Sequence, residues 1–283
     1  MKNILEVKNL TKKYKEFTLD SVNLSIPEGC IMGFIGANGA GKSTTIKSIL
    51  NIIIPDSGEI TVFGENDLSK NHALKEHIGV VMDQSTFPET LTSKQINQIM
   101  KCSYRTWNEE KFFELMKKFR ISDKKKVKEY SRGMTMKLSI AVALSHDSKL
   151  LILDEATSGL DPIIRDEILD IFLDFIQDET KSVLISSHIL SDLEKVCDYI
   201  TFIHDGRIVL SEEKDVLLDS YCVVKCDSKE LSKVDSEHVK GIRHGTFGEE
   251  ALVLRDGAKV IQEGCVEPAT LEDIMLYMVK GEK

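Results

Sequence analysis

The chain has little of what membrane-spanning and secreted proteins carry. Its 283 residues include no stretch of roughly 18 consecutive apolar residues, the length that crosses a bilayer. The opening segment, Met-Lys-Asn-Ile-Leu-Glu-Val, lacks the apolar run of a signal peptide. The six cysteines form no Cys-x-x-Cys pair and have no histidine at zinc-ligand spacing. We therefore expect a chain that neither spans a membrane nor is secreted, with reduced thiols.

Positive charge is also scarce, with 37 Lys and Arg against 46 Asp and Glu and a formal net charge of −9. Binding to a nucleic-acid duplex needs clustered basic residues that neutralise phosphates, so no nucleic-acid partner is expected. The hydrophobic content of 42% and the charged content of 29% are typical of a globular protein with a sizeable core. Residues 211–283 hold six of the nine net negative charges, and this uneven distribution predicts a second body.

Short β-rich runs alternate with helical patterns, which predicts an α/β fold built on one large sheet. The strand candidates are Ile4–Leu10, Leu19–Ile26, Cys30–Ile35, Ile60–Phe63, Ile78–Met82, Leu150–Leu153, Val183–Ser186, Tyr199–Ile203 and Arg207–Leu210. The helical patterns cover 42–52, 93–103, 108–119, 132–146, 163–177 and 189–196. Leu150–Leu153 is continuously apolar, as expected of a central strand covered on both faces. Residues from about 88 to 147 are almost entirely helical and predict an inserted helical subdomain.

The predicted main domain covers residues 1–215, and residues 216–283 predict a small α+β appendage. This appendage has strand patterns at Tyr221–Cys226 and Ala251–Leu254. Thr270 and Asp273 have the spacing of a capping box and predict a final helix. The apolar side chains expected on one face of this helix are Leu271, Ile274, Met275 and Met278.

A glycine-rich segment, Gly36-Ala-Asn-Gly-Ala-Gly-Lys-Ser43, follows a strand and precedes a helix. It matches the pattern G-x-x-x-x-G-K-[ST], whose backbone N–H groups hold a polyphosphate together with the helix dipole. Lys42 is expected to bridge the β- and γ-phosphates, and the Ser43 hydroxyl to ligate Mg²⁺. The candidate ATP-binding residues of this P-loop are Gly36, Asn38, Gly39, Ala40, Gly41, Lys42, Ser43 and Thr44.

Two acids, Asp154 and Glu155, follow the apolar strand Leu150–Leu153 directly. The carboxyl ends of strands in α/β sheets are where ligands bind, so these acids are expected beside the P-loop. Asp154 suits Mg²⁺, directly or through water. Glu155 is placed to polarise the attacking water as a general base.

Further motifs follow in an order that resembles the ATP-binding subunits of ABC transporters, from about Ile4 to Leu210. The resemblance implies a D-loop that contains Ser158 and Asp161, and an H-loop in which His188 contacts the γ-phosphate. It also implies that Gln84 senses Mg²⁺ and the γ-phosphate, and that Tyr14 stacks on adenine. The fold implied is the P-loop NTPase fold of ABC type, and the activity is ATP hydrolysis with ATP and Mg²⁺.

The signature segment of that family, usually Leu-Ser-Gly-Gly-Gln, is here Tyr130-Ser-Arg-Gly-Met134. Ser131 and Gly133 are retained, and the resemblance implies that they meet ATP held by a second subunit. Arg132 adds a cation that either binds that γ-phosphate or forms a salt bridge with an acidic neighbour. Met134 removes a side-chain amide that normally donates hydrogen bonds. The variant resembles ABC-2 type subunits of bacterial peptide and antibiotic exporters, those of phenol-soluble modulins in particular.

The resemblance implies two partners at the cytoplasmic face of the cell membrane. One is a separate membrane-spanning permease subunit, and the other is a second ABC ATP-binding subunit, in a homodimer or a heterodimer. The helical subdomain and the Q-loop around Gln84 are expected to receive the permease. Residues 111–128 carry a net charge of +6, which favours a solvated charged face over attraction to anionic lipid headgroups.

Three other classes of protein share parts of this motif set. ABC-type DNA-repair ATPases carry a long coiled coil between the P-loop and the signature. Here Ser43 and Ser131 are only 88 positions apart, without sustained heptads. Translation factors of the family carry two cassettes in one chain, whereas this chain has one P-loop. A nucleotide-gated regulatory module without transport stays open as the alternative function.

Overall fold

The computed structural model describes residues 2–66, 68, 71–83, 87–245 and 248–280. They divide into two compact units, Met1–Ser211 and Glu212–Lys283. The division lies close to the boundary that the sequence predicts after residue 215.

The first unit alternates strands with helices along most of its length. Its strands are β1 (Asn3–Lys13), β2 (Thr18–Pro27), β3 (Ile31–Ile35), β4 (Ser57–Val62), β5 (Glu65–Asn66), β6 (Ile78–Val81), β7 (Leu150–Asp154), β8 (Ser182–Ser187), β9 (Tyr199–His204) and β10 (Arg207–Glu213). Its helices are α1 (Lys42–Ile49), α2 (His72–Lys75), α3 (Ser93–Ser103), α4 (Glu109–Lys118), α5 (Arg132–Leu144), α6 (Pro162–Phe175) and α7 (Leu190–Val196).

A six-stranded sheet in the order β10-β9-β3-β8-β7-β6 forms the centre of this unit. The strands from β9 to β6 pair in parallel, and β3, β7 and β8 are buried along their whole length. The prediction of a central apolar strand at Leu150–Leu153 is therefore confirmed. Parallel strands end at one edge of a sheet, so the segments that follow β3, β6, β7 and β8 meet there.

The prediction of one large sheet is wrong, because β1, β2, β4 and β5 form a separate antiparallel sheet in the order β2-β1-β4-β5. Buried and exposed residues alternate along β2, as in a strand with only one covered face. Leu5 and Leu24 of this sheet share a core with Phe34 and Ile152 of the parallel sheet. The two sheets thus bury one hydrophobic layer between them.

Side-chain caps start each of the three helices between residues 88 and 147. Thr92 and Gln95 form a capping box, and Asn108 and Ser131 accept hydrogen bonds from the first turns of α4 and α5. On α4, Phe112 and Met116 are buried, whereas the lysines of the basic run from Lys117 to Lys128 are exposed. Within the described ranges, every helix is too short or too polar to cross a bilayer.

A buried histidine closes the junction between α5 and β7. The ring of His146 is 6% exposed and stacks on Tyr104, with ring centroids 4.1 Å apart. Its Nδ1 lies 2.8 Å from the carbonyl oxygen of Glu76. Burial lowers the pKa of His146 from its ordinary value of 6.5, because desolvation disfavours the imidazolium. The native structure therefore favours the neutral ring.

This histidine makes stability depend on pH in a defined direction. Since the folded pKa lies below the unfolded one, the unfolded chain binds more protons between the two values, and stability falls as pH falls below about 6.5. We expect parent protein to lose more stability than His146→Gln when urea unfolding is compared at pH 7.5 and 5.5. His72→Gln, at an exposed position of α2, is the control and should behave like the parent. Equal acid sensitivity in parent and His146→Gln would contradict the prediction.

The second unit is a four-stranded antiparallel sheet with short helices. Its elements are α8 (Lys214–Ser220), β11 (Tyr221–Cys226), α9 (Ser228–Leu231), β12 (Val239–Gly245), β13 (Gly248–Leu254), β14 (Cys265–Pro268) and α10 (Leu271–Lys280), and the strand order is β12-β13-β11-β14. The sequence did not predict β12 or β14. Cys222 and Cys226 belong to the apolar core of this unit. No cluster of three or more metal-ligating side chains exists within the described residues.

The predicted start of the final helix is confirmed, and its apolar face packs on the sheet with Tyr277 as a further buried member. Asp273 accepts hydrogen bonds from the backbone and hydroxyl of Thr270, and Thr270 accepts one from the Asp273 backbone. Leu271, Ile274 and Tyr277 are buried, and α10 packs on β12 and β13. Met275 and Met278 are only half-buried. Tyr277 takes the core position because its ring is buried while its hydroxyl lies 3.2 Å from Glu250.

Candidate nucleotide-binding site

The P-loop joins β3 to α1, and its conformation depends on glycine. Gly41, the N-cap of α1, has a φ of 114°, which other residues rarely adopt. A Cβ atom on Gly36 would lie 2.6 Å from the carbonyl oxygen of Ile203 on β9. No side chain caps the N-terminus of α1, so its first N–H groups are available to an anion. The loop therefore has the form of a phosphate-binding turn.

Lys42 is 5% exposed, and its ammonium group is held inside this loop. Its Nζ donates to the carbonyl oxygen of Gly36 at 2.6 Å and lies 3.2 Å from Oε1 of Glu155. Ser43 and Thr44 follow on the first turn of α1 and are half-buried, whereas Asn38 and Gly39 are exposed at the tip of the loop. Ala40 is buried, and its carbonyl oxygen accepts from the N–H of Gly206.

The two acids lie at the carboxyl end of β7, where the sequence predicts them. Asp154 is 3% exposed, and its Oδ1 accepts a hydrogen bond of 2.7 Å from the Ser186 hydroxyl on β8. Glu155 has a φ of 55°, an unusual conformation for a residue other than glycine. Its N–H group donates to the carbonyl oxygen of Ser186 at 3.1 Å. Such strained residues occur preferentially at functional sites, because the surrounding fold compensates their cost.

The carboxylate of Glu155 lies between two cationic or polar partners. Its Oε1 faces Lys42, and its Oε2 lies 2.6 Å from Nδ1 of His188, just after β8. Oε1 is buried and makes no hydrogen bond, although Lys42 is close. A carboxylate oxygen that receives no hydrogen bond can accept one from a water molecule, as a general base must. His188 is 45% exposed, so it remains accessible to a ligand on the loop.

The oxygen donors at this edge fit Mg²⁺. Asp154 supplies a buried carboxylate and Ser43 a hydroxyl on α1, which packs against β7. Mg²⁺ is commonly bound by one or two protein oxygens, with phosphates and water completing the octahedron. The predicted ligand Gln84 lies outside the described residues.

The signature residues surround the N-terminus of α5. Ser131 is its exposed N-cap, and its hydroxyl accepts from the N–H of Met134 at 3.3 Å. Arg132 forms a salt bridge with Asp83, so of its two predicted roles the structure contains the salt bridge. Gly133 is buried, and a Cβ there would lie 2.8 Å from Cδ1 of Ile164.

The segment after Glu155 leads into α6. Ser158 is half-buried and donates its N–H to the carbonyl oxygen of Glu155 at 3.1 Å. Asp161 is the exposed N-cap of α6 and accepts hydrogen bonds from two backbone N–H groups of its first turn. Behind this segment, Arg165 lies 3.7 Å from the buried carboxylate of Asp192 on α7. Burial raises the pKa of Asp192.

Tyr14, the predicted adenine contact, is 46% exposed and stacks on Phe17 with ring centroids 6.4 Å apart. A Cβ on Gly41 would lie 3.0 Å from the Phe17 ring. Phe17 thus lies against the P-loop, and Tyr14 stacks beside it. An aromatic pair next to the loop is a suitable surface for a base.

Sequence reasoning does not identify the parts played by Ser186, Phe17 and Asp83. Ser186 reaches Asp154 because the parallel pairing of β7 and β8 places them opposite each other. Phe17 and Asp83 contact residues far away in the sequence. The sequence does contain a signal for Ser186, because it is a hydroxyl residue at the end of a strand, and that strand neighbours the one that ends at Asp154. The contacts of Phe17 and Asp83 have no local signature in the sequence.

Comparison with known proteins identifies the family of this chain. A family model described as ABC transporter matches residues 19–158. The bacitracin transport ATP-binding protein BcrA of Bacillus licheniformis is 36% identical over 213 residues, which are 74% of this chain and 69% of that protein. The lantibiotic transport ATP-binding protein SrtF of Streptococcus pyogenes is 37% identical over 215 residues, which are 75% of this chain and 92% of that protein.

Solved structures confirm the fold. A structure described as the ATP-binding subunit of an ABC transporter superposes with a TM-score of 0.67 at 27% identity, covering 75% of this chain and 90% of that one. The ATP-binding cassette MJ0796, solved as a dimer with ADP and Pi, has a TM-score of 0.66 at 24% identity, over 74% and 98% of the two chains. The predicted P-loop NTPase fold of ABC type is confirmed. This chain belongs to the ATP-binding proteins of ABC transporters, a family of ATPases.

Proposed function

We propose that this chain is the subunit that powers an exporter of peptides or antimicrobial compounds. Two such nucleotide-binding subunits, identical or related, would enclose ATP between the P-loop of one and the signature segment of the other. The exporter's pathway would belong to a separate permease, and this chain would lie at the cytoplasmic face of the membrane. Two of its relatives bear the names of bacitracin and lantibiotic transport proteins, which supports the cargo class.

The observation that carries this proposal is the position of the Glu155 carboxylate between Lys42 and His188, at 3.2 and 2.6 Å. In the proposed reaction, Lys42 and the amides at the start of α1 bind the β- and γ-phosphates and stabilise the charge that develops there. Glu155 orients the attacking water and accepts its proton. His188 holds the carboxylate and contacts the γ-phosphate.

Asp154 and Ser43 would hold Mg²⁺, which when bound neutralises phosphate charge. Ser186 fixes the carboxylate of Asp154 through its hydroxyl, at 2.7 Å. From the second subunit, Ser131 and the backbone of Gly133 would reach the same γ-phosphate. Hydrolysis of the enclosed ATP would weaken the contact between the two subunits and reopen the dimer.

An apolar cleft at the helical subdomain (residues from about 88 to 147) is the proposed contact for the permease. The cleft has a volume of about 370 Å³ and is lined by Leu50, Ile52, Val80, Met82, Phe87 and Met100, among others. Within this lining, Ile52 is 64% exposed, and Ile54, two positions later in the chain, is 76% exposed. Clustered exposed apolar side chains of this kind mark interaction surfaces. A cytoplasmic helix of a permease is the occupant that a transport ATPase requires.

The test is an affinity purification of the chain from detergent-solubilised membranes with ATP, with bound proteins identified by mass spectrometry. Glu155→Gln is the form to use, because slow hydrolysis should preserve the assembled complex. We expect a multi-span membrane protein to be recovered, and Ile52→Asp to reduce its recovery at least severalfold. Val216→Asp is the matched control in the second unit, since Val216 is also an exposed aliphatic residue, at 46%.

Each outcome discriminates between the candidate functions. A second nucleotide-binding chain in the eluate would identify a heterodimer, and its absence beside the permease would favour a homodimer. Recovery of soluble partners alone, with ATP bound to an intact chain, would replace the transport proposal by the regulatory module. Unchanged recovery with Ile52→Asp would remove the cleft from the permease contact.

A further inference from the structure

The side chain of Arg132, at the start of α5, contacts two segments that are distant from it in the sequence. Its Nη2 donates to Oδ1 of Asp83 at 2.8 Å, in the turn after β6. Its guanidinium group also lies against Gly159, where a Cβ atom would be 2.7 Å from Nη1 and 2.9 Å from Cζ. Gly159 belongs to the segment between Glu155 and α6. The side chain thus contacts the start of the signature helix, the segment that precedes Gln84, and the D-loop.

A cation at this position needs compensation. Arg132 is the first residue of α5, where the positive end of the helix dipole disfavours a basic side chain. Asp83 supplies the opposing charge, and both side chains are about half exposed, at 52% and 45%. Gly159 has a φ of 67° and carries no side chain, so the guanidinium group can approach its backbone.

The same guanidinium group has two conceivable partners of like chemistry, because carboxylates and phosphates both accept paired hydrogen bonds from arginine. The two possibilities make opposite predictions for Asp83. If Arg132 acted on a phosphate, Asp83 would compete for it, and neutralising Asp83 would strengthen nucleotide-dependent activity. If Arg132 acts through Asp83, neutralising either residue has the same consequence.

We propose that Arg132 is a positioning residue that fixes the signature segment to Asp83 and to the D-loop, rather than a ligand of ATP. Through this contact, the turn after β6 and the N-terminus of α5 keep the same position relative to each other. The distance between Ser131 and the segment that leads to Gln84 is thereby fixed. This inference deepens the proposed function, since it concerns how the signature segment of the proposed composite site is held.

A double-mutant cycle tests the proposal with Asp83→Asn, Arg132→Gln and the double variant. We expect each single variant to lower kcat about two- to fivefold, the size expected for one exposed ion pair, with KM for ATP almost unchanged. The double variant should be no slower than the slower single variant. Lys101→Gln is the matched control, because Lys101 and Glu109 form an ion pair of 2.7 Å with exposures of 57% and 39%.

Hydrogen exchange of the intact chain without ATP provides a readout that does not depend on hydrolysis. In Asp83→Asn and Arg132→Gln, the amides in the first turns of α5 should exchange faster than in the parent. Lys101→Gln should leave them unchanged. Glu155→Gln is assayed in parallel, because a normal hydrolysis rate in that variant would refute the role proposed for Glu155 without touching this inference.

Two results would overturn the positioning role. One is a lower KM or a higher kcat in Asp83→Asn together with a loss of activity in Arg132→Gln, which is the pattern of a phosphate ligand. The other is unchanged hydrogen exchange at the start of α5 in both single variants. Equal losses in the two single variants, with faster exchange at α5, would support it.

Discussion

Replacing Glu155 by Gln is expected to lower kcat for ATP hydrolysis by about two to four orders of magnitude, the usual contribution of a general base. The amide keeps the shape of the carboxylate but accepts no proton from water. ATP binding should be retained or strengthened, because Lys42 would lose the carboxylate that lies 3.2 Å from its Nζ. Single-turnover hydrolysis and equilibrium ATP binding, measured on the same preparation, separate the two effects.

Glu179→Gln provides the control for this experiment, because Glu179 is an exposed acid in the loop before β8. It should hydrolyse ATP at the parent rate. In the presence of ATP, Glu155→Gln should also accumulate as a dimer on size-exclusion chromatography, since the step that reopens the dimer is slowed. Hydrolysis at the parent rate in Glu155→Gln would show that another group accepts the proton.

Replacing Lys42 by Ala is expected to weaken ATP binding by about 2–5 kcal/mol, or about 30- to several-thousand-fold in Kd, the effect of removing one partner of a buried charge pair. Lys42 is 5% exposed and is the cation that the P-loop itself encloses. Its loss would also leave the Glu155 carboxylate without its nearest positive charge. Titration with a fluorescent ATP analogue measures the change in Kd.

Lys47 serves as the matched control, because it lies on the same helix α1 and is half-buried outside the loop. Lys47→Ala should bind ATP with the parent Kd, which would exclude a general effect of removing a positive charge from α1. Circular dichroism at the two temperatures that bracket unfolding would verify that both variants are folded. A parent-like Kd in Lys42→Ala would mean that the loop amides alone hold the phosphates.

Local patterns in the sequence determine much of this protein. The strand–loop–helix order around Gly36-Ala-Asn-Gly-Ala-Gly-Lys-Ser43, and the apolar strand before Asp154, predict the nucleotide edge because short segments encode their own conformation. The helices α3 to α5 and the capping box at Thr270 are readable for the same reason, since caps and amphipathic periods lie within a few residues. The order of motifs also identifies the family, as the comparisons confirm.

Only the tertiary structure decides what depends on contacts between distant segments. Which strands belong to which sheet depends on which strands pair with each other. The composition of β1 alone does not decide between the two sheets. The choice for Arg132 between a phosphate and a carboxylate rests on Asp83, which is 49 positions away. The hydrogen bond from the Ser186 hydroxyl to Asp154 arises from the register of β7 against β8, and Glu155 adopts its αL conformation just after β7 ends. Such contacts are set by how chain segments pack, which no local spacing of residues encodes.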